Sequence, residues 1–371
     1  DLDRVVGEAI ASHQIPGAVC WAGHPGRLLH RAAYGNRAIV PAVEPMTMDT
    51  IFDAASLTKV VATTSAIMRL FEQGRVRLND PVTAYLPGFQ GGKSSITVRQ
   101  LMTHYSGLRP DVDLEPAWSG YETGIGKALV DQPVAGPGER FIYSDINFLL
   151  LGEIVRVVSG RTLPDFVRDE VFEPAGMTTT RFQPPEQWRA RIAPTEVLKG
   201  QTSPLRGVVH DPTARYMGGI AGHAGLFTTA GDLAKFATMM LTLGVAPNGR
   251  RIFQEATVAK FTEPNSPPDR TEIRGLGWDI DSRYSSNRGE LFPIGSYGHT
   301  GFTGTSMWMD PRSKTYVILL ANSVHPHAGI NLSPLRSRVA TIVAAHAGIT
   351  AQEVLLTGYN EAMTAVTRKV N

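Results

Sequence analysis

The chain has little that would tie it to a disulfide framework, a membrane or a nucleic acid. Its 371 residues include one cysteine, Cys20, so no intrachain disulfide can form, and the apolar neighbours of Cys20 predict a buried, inert thiol. The 36 basic residues nearly balance the 34 acidic ones, and a net charge of +2 is far from the concentrated positive field that nucleic-acid binding needs. No apolar run reaches transmembrane length.

Three common catalytic signatures are also missing. The sequence has no His-Glu-x-x-His pair for zinc, no phosphate-binding glycine loop ending in Lys-Ser or Lys-Thr, and no Gly-x-Ser-x-Gly elbow. His325-Pro326-His327 has no second cluster at ligand spacing, so a surface turn is the preferred interpretation. We therefore expect no metal, no other cofactor and no nucleic-acid partner.

What the chain does contain is a serine and a lysine three residues apart, in Ser56-Leu57-Thr58-Lys59, at the start of an apolar helical run. Residues three apart share a helix face, so the amine can reach the hydroxyl and help to take its proton. A weak alcohol then becomes a nucleophile for acyl transfer. The alternative is an ordinary amphipathic helix start, and this short motif alone does not decide between the two.

The hydrophobic pattern predicts strands at both ends of the chain and helices between them. Strand-like runs span 18–23 and 27–34 and return at 297–301, 305–309 and 315–321. Helical spacing or caps predict helices over 2–13, 57–73, 98–104 after Thr97, 145–160 after Ser144, and 334–347 between Ser333 and Gly348. The segment 180–225, rich in proline and glycine, is expected to be irregular.

These elements predict an α+β fold in which both chain ends meet in one antiparallel sheet flanked by helices. Residues 1–55 and 290–350 would form the sheet region, and residues 56–289 a mostly helical insertion, with a crevice between them. We expect residues 1–371 to form a single unit, in which 350–371 are a C-terminal extension, with a helix of unknown role.

Two further motifs follow in order: Tyr143-Ser144-Asp145 before a helical run, and His299-Thr300-Gly301 in a late strand. Together with Ser-x-x-Lys, they resemble the serine β-lactamase and penicillin-binding-protein superfamily, whose members carry Ser-x-x-Lys, Tyr-x-Asn and then Lys-Thr-Gly or His-Thr-Gly. The stretches 101–108, 219–236 and 299–311 also look familial, and the similarity runs through most of residues 15–345. The resemblance implies a fold of the β-lactamase and transpeptidase type.

The resemblance also implies roles for individual residues. Ser56 would be the nucleophile and Lys59 its proton partner, while Tyr143 would share the base role and protonate the leaving group. The backbone N–H groups of Ser56 and Phe302 would form the oxyanion hole. Because both donors are backbone groups, residue identity cannot confirm them.

Asp145 departs from the family pattern, because class C β-lactamases have asparagine there. An ionised carboxylate only accepts hydrogen bonds, so Asp145 cannot donate to a substrate carbonyl as the amide does. We place Asp145 among the substrate-binding residues and predict that it also holds Lys59 protonated, which leaves Tyr143, as phenolate, to be the principal base. Asn147 offers an amide two residues along the helix, but it is expected to face elsewhere.

His299 is the second departure, because β-lactamases usually have lysine at that position. Histidine is mostly neutral near pH 7, so we expect His299, Thr300 and Gly301 to bind a carboxylated substrate with an affinity that rests mainly on Thr300 and improves as the pH falls. This lowers the expectation of efficient β-lactamase activity relative to peptidase, amidase or esterase activity. His223, in the glycine-rich segment 218–225, is a further substrate-binding candidate, or else it braces the loop.

The sequence thus predicts a serine hydrolase that opens an amide or ester through an acyl-enzyme at Ser56. The resemblance favours a DD-peptidase or β-lactamase-related enzyme that acts on cell-wall-type peptides in a periplasmic or secreted location, although this chain carries no signal peptide. Two alternatives remain: a promiscuous carboxylesterase with the same site, and a non-catalytic sensor of penicillin or muropeptides. The expected partner is a small-molecule or peptide substrate, and the sequence leaves the oligomeric state unknown.

Overall fold

The computed structural model describes residues 1–352 and is built around a large antiparallel sheet. The strands are β1 (Gly17–His24), β2 (Arg27–Ala38), β3 (Glu44–Pro45), β4 (Phe52–Asp53), β5 (Arg181–Phe182), β6 (Leu226–Thr228), β7 (Ile273–Arg274), β8 (Asp279–Asp281), β9 (Tyr297–Thr300), β10 (Thr305–Asp310) and β11 (Thr315–Ala321). Eight of them pair in the order β3-β2-β1-β11-β10-β9-β8-β7. Because β1 pairs with β11, with Cys20 opposite Leu319, the two ends of the fold lie side by side as predicted.

Helices surround this sheet and fill the middle of the chain. They are α1 (Leu2–Ala11), α2 (Ser65–Glu72), α3 (Val98–Thr103), α4 (Tyr121–Val130), α5 (Asp145–Ser159), α6 (Leu163–Val167), α7 (Pro212–Tyr216), α8 (Ala230–Leu241), α9 (Glu255–Thr262) and α10 (Ser333–His346). No helix within residues 1–352 is both long and apolar enough to cross a bilayer. The arrangement confirms the predicted α+β class.

The two faces of the sheet are covered by different helices. Successive strand residues point to opposite faces, and accordingly Ile318 and Leu320 belong to the main core, whereas Leu319 belongs to a second apolar cluster. Helix α8 packs on the main-core face against β1, β10 and β11, while α1 and α10 contribute to the second cluster. Burial on both faces explains why β11 reads as a nearly continuous apolar run.

Helix α5 is the centre of the helical region. Its residues from Ile146 to Val155 are all buried, since α2, α3, α4 and α6 pack around it. The helix begins after Ser144, whose hydroxyl accepts the N–H of Asn147, and ends at Gly160 in the left-handed conformation, as the sequence predicts. This fixed start places Tyr143 and Asp145 at the end of a rigid, buried element.

Several details differ from the sequence-based expectation. Strands β7 and β8, from the region expected to be helical, extend the large sheet, and they are too short to produce a readable alternation. The helix expected over 57–73 begins with a π-helical turn, Lys59–Thr64, before α2. Helix α10 starts at Ser333 itself, which makes no side-chain cap. The predicted C-terminal extension lies outside the described residues from 353 onward.

Gly222 is a close contact between the glycine-rich segment 218–225 and α5. A Cβ atom at this position would lie 1.9 Å from the carbonyl oxygen of Phe148, and the Gly222 carbonyl accepts a 2.6 Å hydrogen bond from the hydroxyl of Thr63. We therefore expect Gly222→Ala to lower the free energy of unfolding by about 1–3 kcal/mol, measured by denaturant titration.

Gly126 in α4 is the matched control, because a Cβ there would meet nothing within 4 Å. Gly126→Ala should leave the free energy of unfolding unchanged or raise it by up to about 1 kcal/mol. Equal effects of the two substitutions would contradict the close packing of Gly222 against α5.

Candidate active site

Ser56 lies just after β4, in a turn held by buried polar contacts. The carboxylate of Asp53 accepts hydrogen bonds from the N–H groups of Ala55 at 2.9 Å and His210 at 2.7 Å. Ala55 has φ of 47°, an uncommon value for a residue with a Cβ atom. The N–H of Lys59 bonds to the Ser56 carbonyl at 3.0 Å, which forms a tight turn in which residues three apart stack. The Ser56 hydroxyl is thereby brought over the lysine side chain.

The Lys59 ammonium is fully buried and surrounded by acceptors. Its Nζ lies 2.9 Å from Ser56 Oγ, 2.7 Å from Asp145 Oδ1 and 3.3 Å from the carbonyl oxygen of His223. The contacts with Ser56 and His223 are hydrogen bonds that the ammonium donates, and the contact with Asp145 is an ion pair. Burial alone lowers the pKa of Lys59, but Asp145 and Tyr143 outweigh it and raise that pKa above its ordinary value. Lys59 is therefore a proton donor at neutral pH.

Tyr143 is held between two histidines beside this ammonium. Its ring stacks on His104 with 4.5 Å between centroids and lies 6.0 Å from His299, and Lys59 Nζ is 4.9 Å from the Tyr143 ring centroid. His104 Nδ1 accepts the N–H of Ser144 at 3.0 Å. Burial, with the nearby charges of Arg274 and Lys59, holds the pKa of His104 well below its usual range. His104 is thus a neutral support for Tyr143.

The turn between β9 and β10 is tied to the Ser56 turn. The hydroxyls of Thr303 and Thr305 donate to the carbonyls of Asp53 and Ala54 at 2.8 and 3.0 Å. Phe302 and Ser56 consequently line one pocket. Within residues 1–352 neither of their backbone N–H groups has an acceptor in the protein. Two free N–H donors beside a serine hydroxyl are suited to hold an oxyanion.

The pocket in front of Ser56 has a volume of about 490 Å³. Six residues predicted from the motifs line it: Ser56, Tyr143, His299, Thr300, Gly301 and Phe302. Its charged lining comprises three arginines, Arg274, Arg283 and Arg336, and one acid, Asp279. Arg274 pairs with Asp279 and Arg283 with Glu272, so Arg336 is the cation of this lining without an acidic partner among residues 1–352, and it suits an anionic group on a bound molecule.

Two of these arginines are built into the fold. Arg336 on α10 donates to the carbonyls of Gly301 at 2.8 Å and Thr305 at 3.0 Å. Burial lowers the pKa of Arg336 to about 10, so it is still a cation at neutral pH. Arg274 is fully buried, with Nη1 3.2 Å from Asp279 Oδ1. Their placement keeps positive charge beside the β9 strand that carries Thr300.

His299 does not supply that charge. Its Nδ1 lies 2.7 Å from the Thr300 carbonyl oxygen, an acceptor, so Nδ1 carries the proton. Burial and the charges of Arg274 and Lys59 hold the pKa of His299 well below its usual range. This lowered pKa argues against the expectation that protonation of His299 improves carboxylate binding as the pH falls, and that expectation stays a prediction.

A family model described as Beta-lactamase matches residues 2–340. The chain belongs to the beta-lactamase family. It is a serine hydrolase of the superfamily that contains the serine β-lactamases and penicillin-binding proteins, which confirms the prediction from the motifs. A relative from Escherichia coli (strain K12), named "Putative D-alanyl-D-alanine carboxypeptidase", is 35% identical over 314 residues, which cover 75% of this chain and 70% of the relative.

Several solved structures share this fold. A penicillin-binding protein homologue from Caulobacter crescentus is 21% identical with a TM-score of 0.75, and the match covers 92% of this chain and 96% of that one. EstCE1, described as a hydrolase with promiscuous acyltransferase activity, is 23% identical with a TM-score of 0.72 and is matched over 97% of its length and 92% of this chain. At these identities the likeness concerns the fold.

Asp145 and His223, both predicted to bind substrate, have different surroundings from those expected. Neither lines the pocket that contains Ser56. Asp145 pairs with Lys59, in agreement with the predicted ion pair, and His223 is buried with its ring against Asp211 at 2.7 Å. Asn147 faces elsewhere as predicted, since its Oδ1 accepts a 2.6 Å hydrogen bond from Ser106. The substrate-binding assignment of Asp145 and His223 stays a prediction.

Four residues of the site were missed by sequence reasoning: Asp53, His104, Arg274 and Arg336. His104 lies in the 101–108 stretch that looked familial, and Asp53 lies three residues before Ser56, so both positions carried a usable signal. The two arginines had none, because long-range packing of α10 and β7 brings them to the pocket.

The ion pair between Lys59 and Asp145 makes a testable prediction about pH. Replacing Asp145 by Asn removes the carboxylate that raises the pKa of the ammonium, so the pKa of Lys59 should fall. If acylation requires the ammonium, the rate of Asp145→Asn should begin to fall on the alkaline side at a pH about one unit or more below that of the unmodified protein. The measurement is the pH dependence of acylation by a p-nitrophenyl ester.

Asp113→Asn is the control, because Asp113 pairs with Arg109 on the surface and does not contact Lys59. Its alkaline limb should coincide with that of the unmodified protein. An alkaline limb that is unmoved in Asp145→Asn would show that Asp145 does not set the protonation of Lys59.

Proposed function

We propose that this serine hydrolase is a DD-carboxypeptidase, which removes a terminal D-amino acid with a free carboxylate from cell-wall-type peptides. Ser56 Oγ attacks the carbonyl carbon while the Tyr143 phenolate takes its proton, and the N–H groups of Ser56 and Phe302 hold the developing oxyanion. Tyr143 then gives the proton to the leaving amine, and water releases the acyl group from Ser56. Lys59 remains an ammonium throughout and stabilises the phenolate.

The observation that carries this proposal is Arg336, a cation of the Ser56 pocket that has no acidic partner among residues 1–352. Arg274 and Arg336 are fixed beside β9, and the Nε atom of Arg336 has no hydrogen-bond partner in the part of the chain that the structure describes. A guanidinium N–H that has no partner in the protein can donate a charge-assisted hydrogen bond to a carboxylate of the substrate. The name of the Escherichia coli relative supports the same substrate class.

A carboxylesterase is the second candidate, favoured by the apolar rim of the same pocket. Phe302 is 69% exposed and Ile330 47% exposed, and both line the cavity with Leu332. Such a rim fits an apolar acyl or alcohol group. We also propose a periplasmic or secreted location, since cell-wall peptides are found outside the cytoplasmic membrane; the support is the proposed substrate.

The substrate proposal predicts a selective effect of Arg336→Gln. A short peptide ending in D-Ala-D-Ala and the same peptide with a C-terminal amide differ only in the carboxylate. The variant should raise KM for the acid about tenfold or more, because a hydrogen bond to a charged group is lost, and change KM for the amide little. Steady-state kinetics with both peptides gives the comparison, and Ser56→Ala should abolish turnover of each.

Arg338→Gln is the matched control on the same helix, because Arg338 is exposed and bonds to Glu8. It should leave both KM values unchanged. Ser56-dependent hydrolysis of p-nitrophenyl butyrate without hydrolysis of either peptide would instead identify a carboxylesterase. A mass increase with penicillin that persists for hours without turnover of any substrate would identify a sensor.

A further inference from the structure

His223 is a buried histidine next to the catalytic ammonium that the proposed mechanism leaves without a role. It is 1% exposed and lies in the glycine-rich segment 218–225. Its backbone carbonyl accepts a hydrogen bond from Lys59 Nζ at 3.3 Å, and its Nε2 lies 2.7 Å from Asp211 Oδ1. One residue therefore contacts the ammonium through its backbone and a carboxylate through its ring.

Asp211 is anchored independently of the histidine. It is the N-cap of α7, where its Oδ1 also accepts the N–H of Ala214 at 2.7 Å. Carboxylate oxygens of Asp145 and Asp211 and a ring nitrogen of His223 all lie within 4.8 Å of one another. The imidazole is thus close to two carboxylates, one of which is the ion-pair partner of Lys59.

The groups that face His223 come from four elements. They are Asp211 at α7, Asp145 at α5, Lys59 in the π-helical turn, and Asp111, which accepts a 2.7 Å hydrogen bond from Thr213. With a neutral imidazole, a single ammonium would face these acids in a poorly solvated region. A protonated imidazole instead balances Asp211 and leaves Asp145 to Lys59.

The electrostatics point the same way. Burial lowers the pKa of His223, but Asp211 and Asp145 outweigh it and raise that pKa above the ordinary value. Burial raises the pKa of Asp211, but His223 and the Ala214 N–H outweigh it and lower the pKa. For Asp111, burial raises the pKa of the carboxyl. Both shifts favour an imidazolium beside a carboxylate over a neutral pair.

We propose that His223, held as an imidazolium between Asp211 and Asp145, is a positioning residue that fixes the Lys59 ammonium through its backbone carbonyl and, through its charge, favours the ionised form of the catalytic base. This rests on the proposed role of Tyr143 and Lys59 in acylation. Removing the charge should make nearby acids harder to deprotonate, so the acidic limb of the pH–rate curve, where His223 is charged, should move to higher pH.

His223→Asn keeps the backbone carbonyl and removes the charge. For acylation by p-nitrophenyl butyrate, which does not require peptidase activity, we expect the acidic limb of the pH profile to move upward by about one unit. Glu196→Gln is the control. Glu196 forms a comparable pair with His210, with 2.8 Å between Oε2 and Nε2, and this pair does not contact Lys59. Its profile should not move. A uniform loss of rate without a shift in His223→Asn would reduce His223 to a structural residue and overturn the proposal.

A second measurement needs no substrate at all. The ring of His223, followed by NMR with labelled histidine, should titrate above the ordinary value for histidine in the unmodified protein and at lower pH in Asp211→Asn, which retains the helix cap. Titration at or below the ordinary value in the unmodified protein would overturn the proposal. Because this readout is independent of peptide cleavage, it separates failure of this inference from failure of the carboxypeptidase assignment.

Discussion

Burial of the Lys59 ammonium is the constraint on which the site depends. Removing a cation from water costs several kcal/mol unless it is paired and hydrogen-bonded. One partner, Ser56, is in the same turn, whereas Asp145 at the start of α5 and the His223 carbonyl, which is 164 positions away, come from distant parts of the chain. The ammonium is satisfied only when the helical region and the glycine-rich segment are both packed. The close packing of Gly222 against α5 therefore helps to bring the His223 carbonyl to the ammonium.

Charge is divided between the two sides of Ser56. Acids surround Lys59 behind the serine, whereas arginines line the pocket in front of it. His104 and His299 lie near both Lys59 and Arg274, and those cations together with burial hold the pKa of each histidine well below its usual range. Tyr143 is therefore flanked by neutral rings. The positive charge of the pocket comes from guanidinium groups, which do not titrate near neutral pH.

Much of this arrangement was readable from sequence, because the chemistry is carried by local motifs and strong caps. Ser144 and Gly160 delimit α5, and the alternating or continuous apolar runs locate β1, β2, β10 and β11. The features of the fold and the site that could not be predicted have no local signal in the sequence. Strands of two or three residues such as β7 have no periodicity, and a backbone carbonyl such as that of His223 carries no residue identity. Arg336 reaches the pocket only because α10 packs beside β9 and β10.

The two departures from the family motifs have a common electrostatic explanation. Asp145 in place of asparagine adds a negative charge beside Lys59, and a neutral His299 in place of lysine removes a positive one. A lysine at 299 would be another cation next to Arg274 and Arg336 in a region of low dielectric. With its Nδ1 proton directed to the Thr300 carbonyl, neutral His299 presents Nε2 as an acceptor, and this atom has no partner among residues 1–352. His299 thus contributes no charge to the pocket at neutral pH, and the positive charge beside Thr300 comes from the arginines.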